Sequence, residues 1–360
     1  MKENKKSAKE ATIQDVARLA HVSPSTVSNV LNGRLDRMGQ ETVERIQQAI
    51  AQLGYTPSRI ARQLKTGHAP IIGLVVPSVA NPFWGAFARA AEETALAHGY
   101  RILLGNSERD PGREQSYAEE MWAQGIRGVI FGSSALSLRH LAGTINRGLH
   151  VVAFDRHAQS TDDLDVDSVS IDNVLAGRLA TAHLIALGHR RIGFLSGPIR
   201  TVSRIDRLEG YRSALAEAGI ALDHQLIWEG SFISTFGDIE GAKIGRRGAQ
   251  EILGRENRPT ALIAINDMYA LGAYAGARDL GFRIPETCSI VGFDDIMLAE
   301  IAEPPLTTIR QPLEEMLRVA VERLIERLNR RETSPIHMSF APELIVRAST
   351  TMSERTPGER

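Results

Sequence analysis

From Ile71 onward, short apolar runs alternate with amphipathic stretches. Continuous apolar runs separated in this way are typical of strands in a parallel sheet that is covered by helices on both faces. The first half of this region contains the runs IIGLVV (71–76), RILLG (101–105), GVIFG (128–132) and HVVAF (150–154). The second half contains VSI (169–171), RIGFL (191–195), ALIAI (261–265) and SIVGF (289–293). The pattern predicts two doubly wound α/β halves.

The length and composition of the chain limit the number of domains. A chain of 360 residues exceeds the size of roughly 250 residues at which single cores stop growing, so we expect two or three domains. Cys288 is the only cysteine, which excludes a disulfide framework and a multi-cysteine metal site. No apolar stretch follows the lysines of residues 1–10. We therefore expect neither a signal peptide nor a membrane span, and a cytoplasmic location.

The charge is distributed unevenly along the sequence. Residues 1–68 contain 11 Lys and Arg against 6 Asp and Glu, whereas residues 69–360 contain 31 against 37. The whole chain has a formal net charge of −1. Only the N-terminal segment has a balance suited to phosphate groups, although a basic solvated tail would have the same charge.

The segment TIQDVARLAHVSPSTVSNVLN (12–32) carries the signals of two short helices. Thr12 and Asp15 have the spacing of a capping box at the start of the first helix. Ser23 can cap the second helix, where Pro24 takes the favoured first helical position. A third amphipathic helix is expected at about 40–53, before a glycine that stops it.

A short helix, a tight turn and a second helix with a small polar face form the geometry that places side chains in the DNA major groove. Pro24, Ser25 and Asn29 would face bases, and Asn29 could pair with adenine. Thr26 and Ser28 are short and better suited to positioning. Other residues that we assign to the DNA interface of this module are Thr12, Ser23 and Asn32. A three-helix bundle used for protein contact is the alternative.

The segments TIQDVARLAHVSPSTVSNVLNG and GYTPSRIARQL resemble the signature of the lactose/galactose repressor (LacI/GalR) family. In that family Arg is common at the position of Asn29, and Asn is common at the position of Ser58. The operator sequence therefore does not follow from the resemblance. It does imply a double-stranded, pseudo-palindromic operator.

Residues 57–64 form a helical pattern that is too short to be stable alone, because isolated helices shorter than about 12 residues are marginal in water. The resemblance implies that two such hinge helices of a dimer pack in the minor groove. Leu64 would be the apolar wedge between base steps, and Ala61 would allow close approach. Arg59 in the same stretch is also assigned to the DNA interface. A plain linker is the alternative for this segment.

Polar and aromatic side chains follow the predicted strands, at the edge where doubly wound sheets bind ligands. Carboxylates and arginines suit a polyhydroxylated ligand, and aromatic faces stack on sugar rings. The candidate effector residues are Ser78, Asn81, Phe83, Ser134, Asp155, Arg156, Asp172, Arg207, Phe232, Asn266, Asp267 and Asp294. For Asp172 and Asp267, which precede predicted helices, an N-cap role is the alternative.

The family resemblance continues through PSVANPFW, FDR, HLIALGHRRIGFLSGP, RLEGYRSAL, INDMYALGA and VGFDD. It implies an all-α helix-turn-helix domain plus an α/β periplasmic-binding-protein-like domain of two doubly wound parallel-sheet subdomains, with crossovers near 168–172, 305–311 and 335–343. The expected organisation is a basic tail (1–10), the helix-turn-helix domain (11–56), the hinge helix and linker (57–68), the effector and dimerisation domain (69–350) and a polar tail (351–360). The first subdomain would comprise about 69–168 and 311–335, and the second about 172–305 and 343–350.

Three functions compete on this sequence. A nucleotide-using enzyme would need a phosphate loop, a nucleophile elbow or a metal set, and we find no GxGxxG, GxxxxGK[ST], HExxH or GxSxG motif. A periplasmic-type solute-binding protein would need export. We therefore expect a cytoplasmic, nucleoid-associated, homodimeric transcriptional regulator, most simply a repressor, with a carbohydrate effector bound between two subdomains. We expect no enzymatic activity, cofactor or metal.

Overall fold

The computed structural model describes residues 11–31, 38–55, 69–159, 163–230, 241–329 and 334–353. The chain divides into two compact units, Met1–Ala69 and Pro70–Arg360. Within the described ranges, no helix is both long enough and apolar enough to cross a membrane.

The N-terminal unit contains three helices, α1 (Ile13–Leu19), α2 (Pro24–Leu31) and α3 (Gln40–Leu53). Val16, Val27 and Ile46, one from each helix, are fully buried and form the centre of a shared core. Apolar residues at helical spacing produce this arrangement, because they place one stripe of each helix against the others. The three helices therefore occur where the sequence predicts them.

Local hydrogen bonds fix where these helices begin. The Thr12 amide donates to Asp15 Oδ2 at 3.0 Å, and the Asp15 amide donates to Thr12 Oγ1 at 3.3 Å, which completes the capping box of α1. At α2, the Thr26 amide donates to Ser23 Oγ at 3.2 Å. Gly54 ends α3 in the left-handed conformation, with φ of 59°. These caps satisfy helix-end groups that would otherwise lack partners.

The C-terminal unit contains two six-stranded sheets. The strands of the first sheet are all parallel and lie in the order β11-β5-β4-β3-β1-β2. They are β1 (Ile71–Val76), β2 (Arg101–Asn106), β3 (Gly128–Phe131), β4 (His150–Phe154), β5 (Val166–Ile171) and β11 (His337–Phe340).

The second sheet has the order β12-β10-β9-β8-β6-β7, and only β12 runs antiparallel to its neighbour. Its strands are β6 (Ile192–Ser196), β7 (Ile227–Glu229), β8 (Ala261–Ala264), β9 (Ser289–Phe293), β10 (Thr307–Arg310) and β12 (Glu343–Ile345).

Helices cover both sheets, as expected for a doubly wound fold. They are α4 (Pro82–Ala97), α5 (Pro111–Ala123), α6 (Ala142–Ile145), α7 (Asn173–Ala186), α8 (Val202–Glu217), α9 (Gly241–Leu253), α10 (Asp267–Asp279), α11 (Met297–Ile301) and α12 (Leu313–Asn329). Helix α12 packs on α4 and on strands of the first sheet. Leu317, Ala320 and Leu324 of α12 are fully buried, so this helix serves the core.

One strand lies in a different half from the one that we expected. Residues 169–171 belong to β5, which pairs with β4 and β11 of the first sheet. A buried ion network holds the beginning of β5 in place, because Arg323 and Arg327 of α12 donate to Asp167. The chain passes between the sheets after β5, after β10 and after β11.

Candidate functional site

A cavity of about 380 Å³ lies where the carboxyl ends of strands from both sheets meet. Six expected residues line it: Asn81, Phe83, Asp155, Arg207, Asn266 and Asp294. Six further residues also line it: Trp84, Arg109, Ser203, Arg204, Ile265 and Gln311. We call this cavity the inner chamber. Its walls combine charged, amide, hydroxyl and aromatic groups, as ligand sites in such folds do.

Arg207 on α8 is held in one orientation by the groups around it. Its Nε donates to Asn173 Oδ1 at 2.8 Å and its Nη1 donates to the Ile265 carbonyl at 2.7 Å. Its guanidinium carbon lies 4.7 Å from the centre of the Phe293 ring. The residue is only 5 % exposed. A guanidinium fixed in this way can present its remaining edge to a ligand oxygen.

Asp155 follows β4 and faces Arg207 across the chamber. Asn173 Nδ2 donates to Asp155 Oδ1 at 3.3 Å, and Arg207 Nη2 lies 3.9 Å from the same oxygen. Asp155 has φ of 60°, a left-handed conformation that is uncommon for a residue other than glycine. Such a conformation at a strand end aims the carboxylate into the chamber while the chain turns away.

Asp294 and Gln311 form a second polar pair. Gln311 Nε2 donates to Asp294 Oδ1 at 3.0 Å. Gln311 Oε1 is buried and accepts no hydrogen bond from any residue in the described ranges. A buried acceptor without a donor is unfavourable, so a ligand hydroxyl in the chamber would be stabilised by donating to it.

Aromatic rings form one wall of the chamber. Phe83 and Trp84 begin α4 and meet edge to face, with ring centres 5.0 Å apart. Asn81 caps this helix, because its Oδ1 accepts from the Phe83 amide at 3.1 Å. Rings and amide are therefore positioned together, and a sugar ring could stack on this wall.

Ser134 joins the two halves of the unit and is absent from the chamber lining. The Val202 amide donates to the Ser134 carbonyl at 3.0 Å, and the Ser203 amide donates to Ser134 Oγ at 3.0 Å. Nearby, His157 Nδ1 lies 3.1 Å from Asp206 Oδ2. Burial raises the pKa of Asp206, and His157 opposes this shift.

Asp267 is fully buried and points to neighbouring protein groups. Its Oδ1 accepts from Thr308 Oγ1 at 2.6 Å and its Oδ2 accepts from the Ile296 amide at 2.9 Å. Burial raises the pKa of Asp267 well above the usual range of a carboxyl group, and the nearby Asp294 adds to this shift. Asn266, and not Asp267, caps α10.

The structure places the other expected residues outside the chamber lining. Asp172 is exposed and caps α7, because its Oδ1 accepts from the Leu175 amide at 2.8 Å. Ser78 and Arg156 are buried nearby without lining the chamber. Phe232 lies outside the described residues.

Sequence reasoning could have found part of the additional lining. Ile265 and Gln311 come directly after β8 and β10, so the strand-end rule that selected the other residues applies to them. Arg204 lies on α8, one turn before Arg207, and Arg109 lies within a loop. Their approach to the chamber depends on how those elements pack.

The position of Arg207 depends on a close contact between α7 and α8. A Cβ atom at Gly177 would lie 2.2 Å from the Arg207 carbonyl oxygen. We expect Gly177→Ala to lower the free energy of unfolding by about 1–3 kcal/mol, because the helices would have to separate. Urea unfolding measures this. Gly85→Ala on α4 is the matched control: nothing lies within 4 Å of its added Cβ, so it should stabilise by about 0.5–1 kcal/mol. Equal effects of the two substitutions would contradict the packing argument.

In the N-terminal unit, the exposed face of α2 carries the residues that we expect to read bases. Pro24, Ser25 and Asn29 are exposed, and Thr26 and Ser28 are half-buried. The Ser23 hydroxyl lies 2.6 Å from the Ser25 hydroxyl and 2.8 Å from the Thr26 hydroxyl, and Thr12 is engaged in its capping box. Asn32, Arg59, Ala61 and Leu64 lie outside the described residues.

Comparisons with known proteins agree with both units. Residues 12–58 match the family described as bacterial regulatory proteins, lacI family, and residues 181–350 match a periplasmic binding protein-like domain. The chain is 34% identical over 341 residues to the HTH-type transcriptional regulator DegA of Bacillus subtilis, covering 94% of this chain and 98% of DegA. It is 35% identical over 341 residues to the ribose operon repressor of Haemophilus influenzae, with the same coverage.

Solved structures agree as well. The Lac repressor dimer bound to operator and the anti-inducer ONPF has a TM-score of 0.81 and 27% identity, covering 95% of this chain and all of that one. A complex of the transcriptional regulator CelR with cellobiose has a TM-score of 0.69 and 31% identity, covering 94% and 99%. The relatives are regulators and not enzymes or periplasmic solute-binding proteins. The chain therefore belongs to the LacI family of DNA-binding transcriptional regulators.

Proposed function

We propose that this regulator binds a pseudo-palindromic, double-stranded operator as a homodimer, and that a carbohydrate in the inner chamber controls its operator affinity. The observation that carries the proposal is the buried Arg207, fixed by Asn173 and Ile265 opposite the Asp155 carboxylate. A guanidinium donates to hydroxyl oxygens and a carboxylate accepts from hydroxyl groups, so the pair suits a polyhydroxylated ligand. The names of the ribose operon repressor and of the CelR–cellobiose complex favour the same ligand class.

The control mechanism follows from where the chamber lies. Its lining comes from both sheets, and a ligand that contacts both favours one relative angle of the two halves. The ligand shifts the equilibrium between two angles only by its difference in affinity for them. A change of angle transmitted to the dimer would order or release the hinge helices at 57–64.

The domain organisation that we propose is the one expected from the sequence. It comprises the helix-turn-helix domain at 11–56, the hinge helix and linker at 57–68 and the effector domain at 69–350, with the crossovers separating two subdomains. Leu64 would enter the minor groove between base steps, with Ala61 allowing close approach and Arg59 contributing to the DNA interface. A regulator of this kind acts in the cytoplasm, at the nucleoid.

One experiment tests both halves of the proposal. The full chain selects binding sites from a pool of random duplex DNA, and a gel shift on the selected site is repeated in the presence of sugars that stabilise the protein in a thermal-shift screen. We expect a two-fold symmetric site and a sugar that changes its affinity. Selection of no sequence would refute operator binding. A selected site whose affinity no sugar changes would refute the carbohydrate effector.

Asn29→Ala tests base reading by α2. A bidentate amide contact to adenine contributes about 1–3 kcal/mol of discrimination, so we expect roughly 5- to 150-fold weaker binding to the selected site. Affinity for unrelated duplex DNA should stay unchanged, because that binding depends on phosphate contacts. Fluorescence anisotropy on both duplexes measures the two affinities. Gln48→Ala, an exposed amide on α3, is the matched control. An equal loss on both duplexes would count against a base-reading role.

A further inference from the structure

A second cavity adjoins the inner chamber. It contains about 1170 Å³ of empty space, part of it open to solvent. Arg109, from the loop after β2, and Arg204, from α8, line both cavities. We call the second cavity the outer chamber. The two arginines mark the border between the chambers, and they come from opposite halves of the unit.

The lining of the outer chamber suits hydroxyl groups. Ser133, Ser137 and Thr201 contribute hydroxyl groups, and Glu108 and Arg200 contribute charged ends. This mixture of donors and acceptors resembles the inner chamber more than an apolar docking groove. A polar ligand that fills the inner chamber could therefore continue into the outer one without losing hydrogen bonds.

The backbone at the border is strained. Glu108 and Arg109 are consecutive residues with φ of 56° and 59°. Left-handed conformations of residues other than glycine persist where surrounding contacts hold them, and they occur preferentially at ligand sites. Here Arg109 Nη1 donates to the Ser133 carbonyl at 2.5 Å, and Asp110 caps α5. The strained pair directs two long polar side chains towards the cavities that they line.

Each chamber also contains a buried acceptor whose hydrogen bonding is incomplete. In the inner chamber this is Gln311 Oε1. In the outer chamber, Glu108 Oε2 lies 3.0 Å from Arg113 Nη1 but accepts no hydrogen bond within the described ranges. Buried acceptors of this kind are stabilised by a donor, and ligand hydroxyl groups supply donors.

We infer that the effector spans both chambers and consists of two linked sugar units, as in a disaccharide or a glycoside with a polar second unit. The inner chamber, at about 380 Å³, lies at the small end of the 300–1000 Å³ that is typical of ligand pockets, so one sugar unit is the most that it suits. The second unit lies in the outer chamber, beyond Arg109 and Arg204. This inference rests on the proposed function, from which the carbohydrate class is taken.

Titration calorimetry on the full chain tests the inference with cellobiose, maltose and sucrose and with their component sugars, glucose and fructose. We expect one disaccharide to bind at least about tenfold more tightly than either of its components. Leu136, which is 44% exposed, lines only the outer chamber. Leu136→Trp should narrow that chamber, weaken disaccharide binding by about tenfold or more and leave monosaccharide binding within about twofold.

Leu280→Trp, at an exposed leucine that lines neither chamber, is the matched control and should change neither affinity. A monosaccharide that binds as tightly as every disaccharide overturns the inference and leaves the proposed function intact. Tight disaccharide binding that Leu136→Trp does not weaken also overturns it. If no sugar of either size binds, the carbohydrate effector of the proposed function fails together with the inference.

Discussion

Asp167→Ala is expected to lower the free energy of unfolding of the C-terminal unit by about 3–5 kcal/mol, the usual loss when one partner of a buried ion pair is removed. Asp167 is fully buried. Its carboxylate accepts from Arg323 Nε at 3.0 Å, Arg327 Nη1 at 3.2 Å and the Ile336 amide at 2.8 Å. Removing it leaves two largely buried guanidinium groups with fewer partners. Because these contacts tie α12 and β11 to β5, the loss concerns the whole first sheet.

Urea unfolding followed by circular dichroism measures this change. The matched control is Glu322→Ala, which removes the exposed partner of Arg318 on the same helix and should change the free energy of unfolding by about 0.5 kcal/mol or less. Asp167→Asn keeps the shape and an acceptor, and we expect an intermediate loss. If Asp167→Ala and Glu322→Ala destabilise the protein equally, the buried network does not have the role that its geometry indicates.

Arg207→Ala is expected to weaken effector binding by about 2–5 kcal/mol, or roughly 30-fold to several-thousand-fold. The substitution removes the guanidinium from the inner chamber and leaves Asp155, which is 7% exposed, without its nearest positive charge. Arg207→Lys keeps the charge but cannot donate in two fixed directions to Asn173 and Ile265. We therefore expect it to restore only part of the affinity.

The sugar found in the screen described above serves as the ligand for this measurement, and calorimetry gives its affinity. Arg212→Ala is the control, since Arg212 lies on the same helix and is exposed. Operator binding in the absence of the sugar should be retained in all three variants, because the DNA-reading helix belongs to the N-terminal unit. Undiminished sugar affinity in Arg207→Ala would exclude this residue as an effector contact.

Local signals in the sequence determined the secondary structure and its boundaries. The capping box at Thr12, the Ser23 cap and the glycine after α3 each act through hydrogen bonds or backbone angles within a few residues. The apolar runs act in the same way, because a strand buried on both faces needs continuous apolar side chains. Helix starts and strand positions could therefore be read from the sequence before any packing was known.

The strand-end rule also predicted half of the inner chamber. Asn81, Asp155, Asn266 and Asp294 follow strands directly, and the carboxyl ends of parallel strands converge on one edge. The rule selects positions, but it does not determine where a side chain points. Asp267 follows β8 as Asn266 does, yet its carboxylate is bound by Thr308 and Ile296.

Only the tertiary structure decided which sheet residues 169–171 join and which side chains reach the chamber. Strand pairing and burial depend on residues far apart in the sequence. Asp167 pairs with arginines about 160 positions away, and Ser134 with amides about 70 away. No pattern within a short window records such contacts, because their energy arises only when distant segments are packed together. The sequence by itself therefore determined the elements and the edge where the ligand site lies, and the packing determined its walls.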